Sequence, residues 1–117
     1  LKLGLGADEG IKVERKLIRK EGGEEGLFDK KDRLRYIYEI QLENFKKSEI
    51  LLTLKDQLPL SYHENIEVKT NNISPTPKKV NEKNIITWEI NLKPNEKKTA
   101  RIDYQVEYPA GKAIKGL

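Results

Sequence analysis

The sequence contains no cysteine and no methionine, and it has one histidine and one tryptophan. The absence of cysteine excludes disulfides, thiolate metal ligands and cysteine nucleophiles, and one histidine excludes a site built from several imidazoles. No apolar run approaches the ~18 residues that a membrane-spanning helix needs, and no signal-peptide pattern is visible. We therefore expect no direct membrane insertion, no metal site and no cofactor.

The 117 residues are enough for one domain with one core, and we expect residues 1–117 to form a single domain. The chain does not begin with methionine and opens in a strand-like stretch, which favours a fragment of a longer protein. Twenty-three basic and 19 acidic residues give a net charge of +4. Because the two signs alternate along the chain and no basic tract appears, we expect no nucleic-acid partner.

Alternation of apolar and polar residues with a period of two dominates the sequence. About seven strands follow from it, over residues 2–5, 11–20, 34–43, 50–54, 66–70, 86–92 and 100–108. The period over 11–20 is lost after Val13, which predicts a bulge or a twist there. The pattern predicts an all-β, antiparallel two-sheet sandwich of immunoglobulin or fibronectin type, with Trp88 in the core. A small barrel is the alternative.

Turn chemistry separates the strands. Residues 44–47 are predicted to close a hairpin, and Pro94 with Asn95 indicates a reverse turn. Residues 21–32 and 71–83 are predicted to be long loops. If connections fall at alternate ends, loops 21–32, 58–65 and 93–97 share one end, and loops 44–47 and 71–83 share the other. Tyr62 and His63 then lie beside the glycine- and glutamate-rich loop, and we take both as candidate binding residues.

The sequence names no catalytic residue. His63 is close to Ser61, but no nucleophile-elbow motif surrounds them, and no particular carboxylate pair is indicated. The glycine-rich residues 4–10 precede a strand rather than the helix that a dinucleotide site needs. Two acidic clusters lack the ligand spacing of a calcium loop: Asp8 with Glu9, and Glu21 with Glu24 and Glu25. We expect the domain not to be an enzyme.

Two apolar residues, Ile37 and Leu51, point away from the predicted core face and are candidates for a contact surface. The oligomeric state stays open. Loop aromatics that could stack on sugar rings are Tyr62, Phe45 and Phe28. Exposed, coplanar rings would favour carbohydrate binding, and rings packed inward would argue against it.

Taken together, these features resemble the C-terminal domain of the mucoidy inhibitor A (MuiA) family of bacterial proteins, a domain of unknown function. The resemblance covers nearly the whole chain and rests on Gly6, Asp8, Asn44, Asp56-Gln57-Leu58-Pro59, Ser61, Ile66, Val68, Trp88, Leu92-Lys93-Pro94-Asn95-Glu96, Tyr104, Tyr108-Pro109 and Gly116-Leu117. Asn95 stands where the family tends to have glycine, and the turn geometry tolerates this change.

The resemblance implies a C-terminal position in a parent protein that also has an N-terminal domain and a helical, coiled-coil middle. It implies no catalytic motif, cofactor or ligand, and its name suggests the bacterial cell envelope or periplasm. Our leading hypothesis is a non-catalytic structural or protein-interaction module. Its partner would be the missing N-terminal and helical parts of its own chain, or another protein. The alternatives are a module that binds carbohydrate or envelope polymer and, third, an uncharacterised hydrolase domain.

Overall fold

The computed structural model describes residues 2–3, 10–24 and 31–109. These residues form eight strands: β1 (Lys2–Leu3), β2 (Ile11–Glu24), β3 (Lys31–Asn44), β4 (Ile50–Gln57), β5 (Glu67–Ser74), β6 (Lys79–Val80), β7 (Ile85–Leu92) and β8 (Lys97–Pro109). In the described part of the chain there is no helix of the length and hydropathy that crossing a bilayer requires.

The strands form two open sheets. The short sheet has the order β1-β4-β7-β6, and the long sheet has the order β2-β3-β8-β5. All neighbouring strands are antiparallel. The prediction of an all-β, two-sheet antiparallel fold is confirmed, and the sheets do not close into a barrel.

The core lies between the two sheets, where the apolar stripes of the strands face one another. Leu54 and Trp88 of the short sheet and Ile40 and Ile102 of the long sheet are at most 1% exposed. The indole N–H of Trp88 donates to the carbonyl oxygen of Pro75 at 2.9 Å, so the polar atom of this large ring is satisfied. The prediction that Trp88 is the core aromatic is confirmed.

The hairpin of β2 and β3 is longer than the sequence pattern predicts. Its register runs from Ile11 opposite Asn44 to Glu24 opposite Asp32, so residues 21–24 belong to a strand and not to a loop. A register shift between Leu17 and Arg19 places a bulge in β2, which confirms the predicted irregularity. The bulge interrupts the ladder on a long edge strand, which is one way in which sheets discourage edge-to-edge pairing.

Residues 44–47 do not close a hairpin, because β3 and β4 belong to different sheets. The buried side chain of Asn44 directs this crossing. Its Nδ2 donates to the carbonyl oxygens of Ser48 at 2.9 Å and Leu92 at 3.0 Å, and its Oδ1 accepts from the amide of Lys46 at 2.9 Å. The amide of Asn95, whose φ is 62°, donates to the backbone oxygen of Asn44 at 2.8 Å. One asparagine thus ties two inter-sheet turns together.

The strand β6 changes which connections share an end of the fold. It pairs with β7 inside the stretch 71–83 that was predicted to be loop. Because one more strand precedes β7, the turn 93–96 moves to the end where residues 45–49 lie, which we call the Asn44 end. At the opposite end, the amide of Leu58 donates to the oxygen of Asn84 at 2.9 Å. We call this opposite end the Tyr62 end. The prediction that loops 93–97 and 58–65 share one end of the fold is therefore wrong.

Ile37 lies on the outer face of the long sheet, as the alternation predicts, but it is only 1% exposed, and its prediction as an exposed contact residue is wrong. In the register it lies between Asp103 and Arg19. Arg35, on the same face, reaches Asp103 through Nε–Oδ1 at 2.9 Å and Nη2–Oδ2 at 2.6 Å. Long arginine side chains therefore flank Ile37, and such side chains cover apolar neighbours with their aliphatic stems. Leu51 is exposed as predicted.

The same outer face holds a second buried carboxylate. Glu107 is 4% exposed and lies 3.2 Å from Arg33 Nε and 3.3 Å from Lys69 Nζ, while Gln105 Nε2 donates to it at 3.1 Å. Burial by itself raises the pKa of this carboxyl. The hydrogen bond and charge of Lys69, together with the charge of Arg33, outweigh burial and hold the pKa below its ordinary value.

Replacing Asn44 tests the role of its side chain at the Asn44 end. Asn44→Ala removes the side-chain donor from one buried and two partly buried carbonyl oxygens, and we expect the free energy of unfolding to fall by about 2–4 kcal/mol. The control Gln41→Ala removes an exposed side chain from the same strand and should change it by less than ~0.5 kcal/mol. Urea unfolding followed by Trp88 fluorescence measures both. Equal losses in the two variants would contradict this role.

The outer-face ion pairs predict a dependence of stability on pH. The hydrogen bond from Arg35 lowers the pKa of Asp103, which outweighs the opposing effect of burial. A carboxyl whose pKa is lower in the folded state stabilises the fold above its unfolded pKa of ~3.9, and this contribution is lost as the pH falls through the folded pKa. Asp103→Asn should therefore be less stable than the wild type at pH 6 but lose less stability between pH 6 and pH 2. Urea unfolding at each pH measures the free energy of unfolding of both proteins. If it falls by the same amount in both between pH 6 and pH 2, the assignment to Asp103 is contradicted.

Candidate functional site

Residues 58–66, which we call the capping segment, cross from the short sheet to the long sheet at the Tyr62 end. The segment leaves β4 after Gln57 and enters β5 at Glu67. Leu58 is 4% exposed, and Ile66 packs against the core, so both ends of the segment are anchored inward. Tyr62, midway between them, is 93% exposed. The side chain of this candidate binding residue therefore faces solvent.

Hydrogen bonds within the capping segment fix its shape. The hydroxyl of Ser61 donates to the carbonyl oxygen of Ile66 at 2.6 Å, and the amide of Ile66 donates to the oxygen of His63 at 3.0 Å. The Nδ1 atom of His63 accepts the amide of Asn65 at 3.1 Å. Ser61 Oγ therefore contacts the backbone of this turn, and the imidazole of His63 accepts a bond that stabilises it.

The turn at 81–84 supports the base of the capping segment. Asn84, with a φ of 59°, accepts the amide of Leu58 and donates from Nδ2 to the oxygen of Pro59 at 3.1 Å. The side-chain amide of Gln57 donates to the oxygen of Lys83 at 2.9 Å. Asparagine tolerates this left-handed backbone better than most residues, which suits it to the position.

An open cleft of about 430 Å³ lies beside Tyr62. We call it the Tyr62 cleft. It is lined by Arg15, Gln57, Leu58, Pro59, Leu60, Tyr62 and Tyr104. Its volume falls in the range of ~300–1,000 Å³ that is common for ligand sites. The cleft brings side chains of the capping segment together with side chains from the inner face of the long sheet.

Arg15 is held in this cleft by two contacts. Its Nε atom lies 2.9 Å from Oδ2 of Asp56, and its guanidinium carbon lies 3.9 Å from the centroid of the Tyr38 ring. The other oxygen of Asp56 accepts the amide of Gln57 at 2.7 Å. The side chain of Asp56 is only 6% exposed, whereas that of Arg15 is 32% exposed. The ion pair joins the two sheets, and the cation–π contact fixes the plane of the guanidinium.

Three tyrosine rings form a stack behind Arg15. The Tyr104 ring lies 5.2 Å from that of Tyr36 and 6.4 Å from that of Tyr38, with interplanar angles of 19° and 11°. Burial, with smaller contributions from Tyr38 and Tyr36, raises the pKa of Tyr104 to about 12. The phenol is therefore a neutral hydrogen-bond donor throughout the physiological range. Tyr36 is 4% exposed, and its buried hydroxyl has no partner among the described residues.

The structure brings Tyr62 and His63 together on the capping segment and places Ile37 elsewhere, on the outer face of the long sheet. The predicted neighbour of these residues is the glycine- and glutamate-rich loop 21–32, of which residues 21–24 and 31–32 belong to β2 and β3 and residues 25–30 lie outside the described residues. Phe28 and the glycine-rich stretch 4–9, with Asp8 and Glu9, also lie outside them. Phe45 is 54% exposed at the Asn44 end, so it does not form one platform with Tyr62.

Sequence reasoning missed Arg15 and Asp56. Each carried a signal, because each places a charge on the apolar stripe of its strand. Arg15 alternates with Val13 and Leu17, and Asp56 follows Leu54 at the same spacing. Charges on two core-facing stripes indicate a pair across the core. Elsewhere, the residues that the structure describes contain no group of three histidine, cysteine, aspartate or glutamate side chains placed to hold a metal ion.

Comparison with models of protein families identifies the family of this chain. A family described as Domain of unknown function (DUF4139) matches residues 3–110. The chain belongs to this family. The match covers both sheets of the DUF4139 fold and the whole capping segment. No curated protein and no solved structure matches the chain.

The hydrogen bonds of Ser61 within the capping segment of this DUF4139 domain predict the effect of removing its hydroxyl. Ser61→Ala should accelerate hydrogen exchange at the Ile66 and Asn65 amides, because the turn loses its link from Ser61 to Ile66. The free energy of unfolding should fall by no more than about 1 kcal/mol, because the bond is exposed to water. Ser48→Ala, an exposed serine at the Asn44 end, is the control. Unchanged exchange in Ser61→Ala would show that the hydroxyl does not brace the turn.

Proposed function

We propose that this DUF4139 domain is a non-catalytic protein-interaction module and that the Tyr62 cleft is its binding surface. The observation that carries the proposal is the 93% exposure of Tyr62 on a segment held by hydrogen bonds at both ends. The partner would be the N-terminal and helical parts of a longer parent chain, as the MuiA resemblance implies, or another protein. The same resemblance suggests that binding takes place in the bacterial envelope.

Tyr62 has the properties of an interface anchor. Tyrosine presents a large amphipathic surface and has few rotatable bonds, so ordering it on binding takes little entropy. The hydrogen bonds of Ser61 and His63 already order the backbone beneath it. Residues that dominate binding energy are often such aromatic side chains beside a pocket. Leu60, 37% exposed, extends the apolar surface next to it.

The absence of catalysis is part of this proposal. The hydroxyl of Ser61 and Nδ1 of His63 are both engaged by the backbone of the capping segment, which supports a structural use of these two groups. The alternative, a carbohydrate-binding module, rests on Tyr62 as a stacking ring with Arg15 and Gln57 as polar neighbours. It has less support, because Phe45 lies at the opposite end of the fold.

Affinity capture with matched variants tests the proposal. The purified domain is incubated at near-physiological salt with soluble and envelope fractions of the source cells, beside Tyr62→Ala and the control Phe45→Ala. We expect a saturable protein partner that the wild type and Phe45→Ala retain. Tyr62→Ala should bind it at least tenfold more weakly, which is about 1.4 kcal/mol. The free energy of unfolding of Tyr62→Ala should change by less than ~0.5 kcal/mol.

A partner that binds Tyr62→Ala as well as it binds the wild type would contradict the cleft as the binding surface. Retention of a polymer rather than a protein, lost with Tyr62→Ala, would replace the protein-binding proposal with the carbohydrate one. Saturable turnover in a broad hydrolase screen, abolished by replacing one loop carboxylate, would contradict the non-catalytic role.

A further inference from the structure

Two side chains in the Tyr62 cleft have hydrogen-bond donors for which no described residue supplies an acceptor. The Nε atom of Arg15 is engaged by Asp56, but its two terminal nitrogens bond to none of the described residues. The hydroxyl of Tyr104 likewise has no partner among them, although the ring lines the cleft. Because both groups are fixed by packing, these donors are held in place before any ligand arrives.

The two groups lie on one aromatic stack. Arg15 packs on the face of Tyr38, whose ring is stacked with that of Tyr104 at 6.4 Å. Arg15 lowers the pKa of Tyr104 and Asp56 raises it, both more weakly than burial does, so these charges act on the phenol. The cleft therefore combines a guanidinium and a neutral phenol donor with the apolar side chains of Leu60 and Tyr62.

The charge of the cleft limits which charged groups a ligand could place beside Arg15. The carboxylate of Asp56 neutralises Arg15, and both of its oxygens are already bonded within the fold. One guanidinium that is already paired suits a single carboxylate better than a doubly charged phosphate. With Nε engaged, the two terminal nitrogens form the planar fork that binds a carboxylate through two parallel hydrogen bonds.

Resting on the proposed function, we propose that the Tyr62 cleft binds an extended peptide segment in which a glutamate or aspartate side chain stands next to an apolar residue. The carboxylate accepts hydrogen bonds from the terminal nitrogens of Arg15 and from the Tyr104 hydroxyl. The apolar residue packs against Leu60 and Tyr62. Specificity for the acidic residue comes from Arg15 and Tyr104, whereas Tyr62 supplies apolar contact area.

Fluorescence anisotropy with labelled eight-residue peptides tests the inference. The peptides are blocked at both termini and differ only in a central Glu-Leu, Gln-Leu or Lys-Leu pair. We expect the Glu-Leu peptide to bind about tenfold more tightly than Gln-Leu, because charge-assisted hydrogen bonds are stronger than neutral ones. A fourth peptide, Gln-Leu with a free C-terminus, should remain as weak as blocked Gln-Leu, whereas a gain in affinity would contradict the assignment to an acidic side chain.

A matched pair of variants tests the hydroxyl. Tyr104→Phe removes the donor and keeps the stacked ring, and it should weaken the Glu-Leu peptide about three- to tenfold with little change for Gln-Leu. Tyr36→Phe removes a phenol hydroxyl that does not line the cleft and should leave both affinities unchanged. Near-ultraviolet circular dichroism and the thermal midpoint check the fold of each variant.

The outcomes separate this inference from the proposed function. Equal affinities for Glu-Leu and Gln-Leu, both lost in Tyr62→Ala, would leave the interaction module standing and overturn the acidic specificity. Binding unaffected by Tyr62→Ala would contradict the cleft as the binding surface and with it both proposals. No binding of any peptide at millimolar concentration, while Tyr62-dependent capture of a partner persists, would overturn the inference alone.

Discussion

The ion pair between Arg15 and Asp56 joins the two sheets where the short sheet ends, and the arrangement of the Tyr62 cleft depends on it. It lies between the inner faces, with Nε and Oδ2 2.9 Å apart and the carboxylate only 6% exposed. Removing the carboxylate from water is unfavourable, and an ion pair in such a place often stabilises a fold less than apolar residues would. The main effect of this ion pair is to position the guanidinium of Arg15 against Tyr38 and beside Tyr104.

Polar side chains serve similar ends elsewhere in the fold. Asn44 fixes two inter-sheet turns through carbonyl and amide contacts at one end. On the outer face of the long sheet, Asp103 and Glu107 are buried under the arginine and lysine side chains that pair with them. At the Tyr62 end, the hydrogen bonds of Ser61 order a segment whose central aromatic ring is left to solvent. The buried side chains of Asn44, Asp103 and Glu107 are thus satisfied by neighbouring groups, whereas Tyr62 faces outward without a packing role.

Much of the fold followed from sequence, and the site followed only in part. The alternating stripes around Ile40 and Ile102 predicted the strands, and Trp88 was correctly placed in the core. The two-residue strand β6 left no periodic signal, and its insertion reversed the predicted position of turn 93–96. Ile37 was predicted as exposed because alternation gives the face of a side chain but not the long neighbours that cover it. Tyr62 was named as a candidate because loop aromatics are conspicuous, whereas Arg15 was missed although its charge breaks the apolar stripe of its strand.

The most direct test of this account separates the structural role of the ion pair from its role in binding. Arg15→Met alone should destabilise the fold by about 1–3 kcal/mol, because it leaves the carboxylate of Asp56, which is only 6% exposed, without its ion-pair partner. The double variant Arg15→Met with Asp56→Leu replaces the pair with apolar side chains and should recover a free energy of unfolding within about 1 kcal/mol of the wild type. We expect this stable double variant to bind the Glu-Leu peptide no better than the Gln-Leu peptide. A stable double variant that still prefers Glu-Leu tenfold would contradict it.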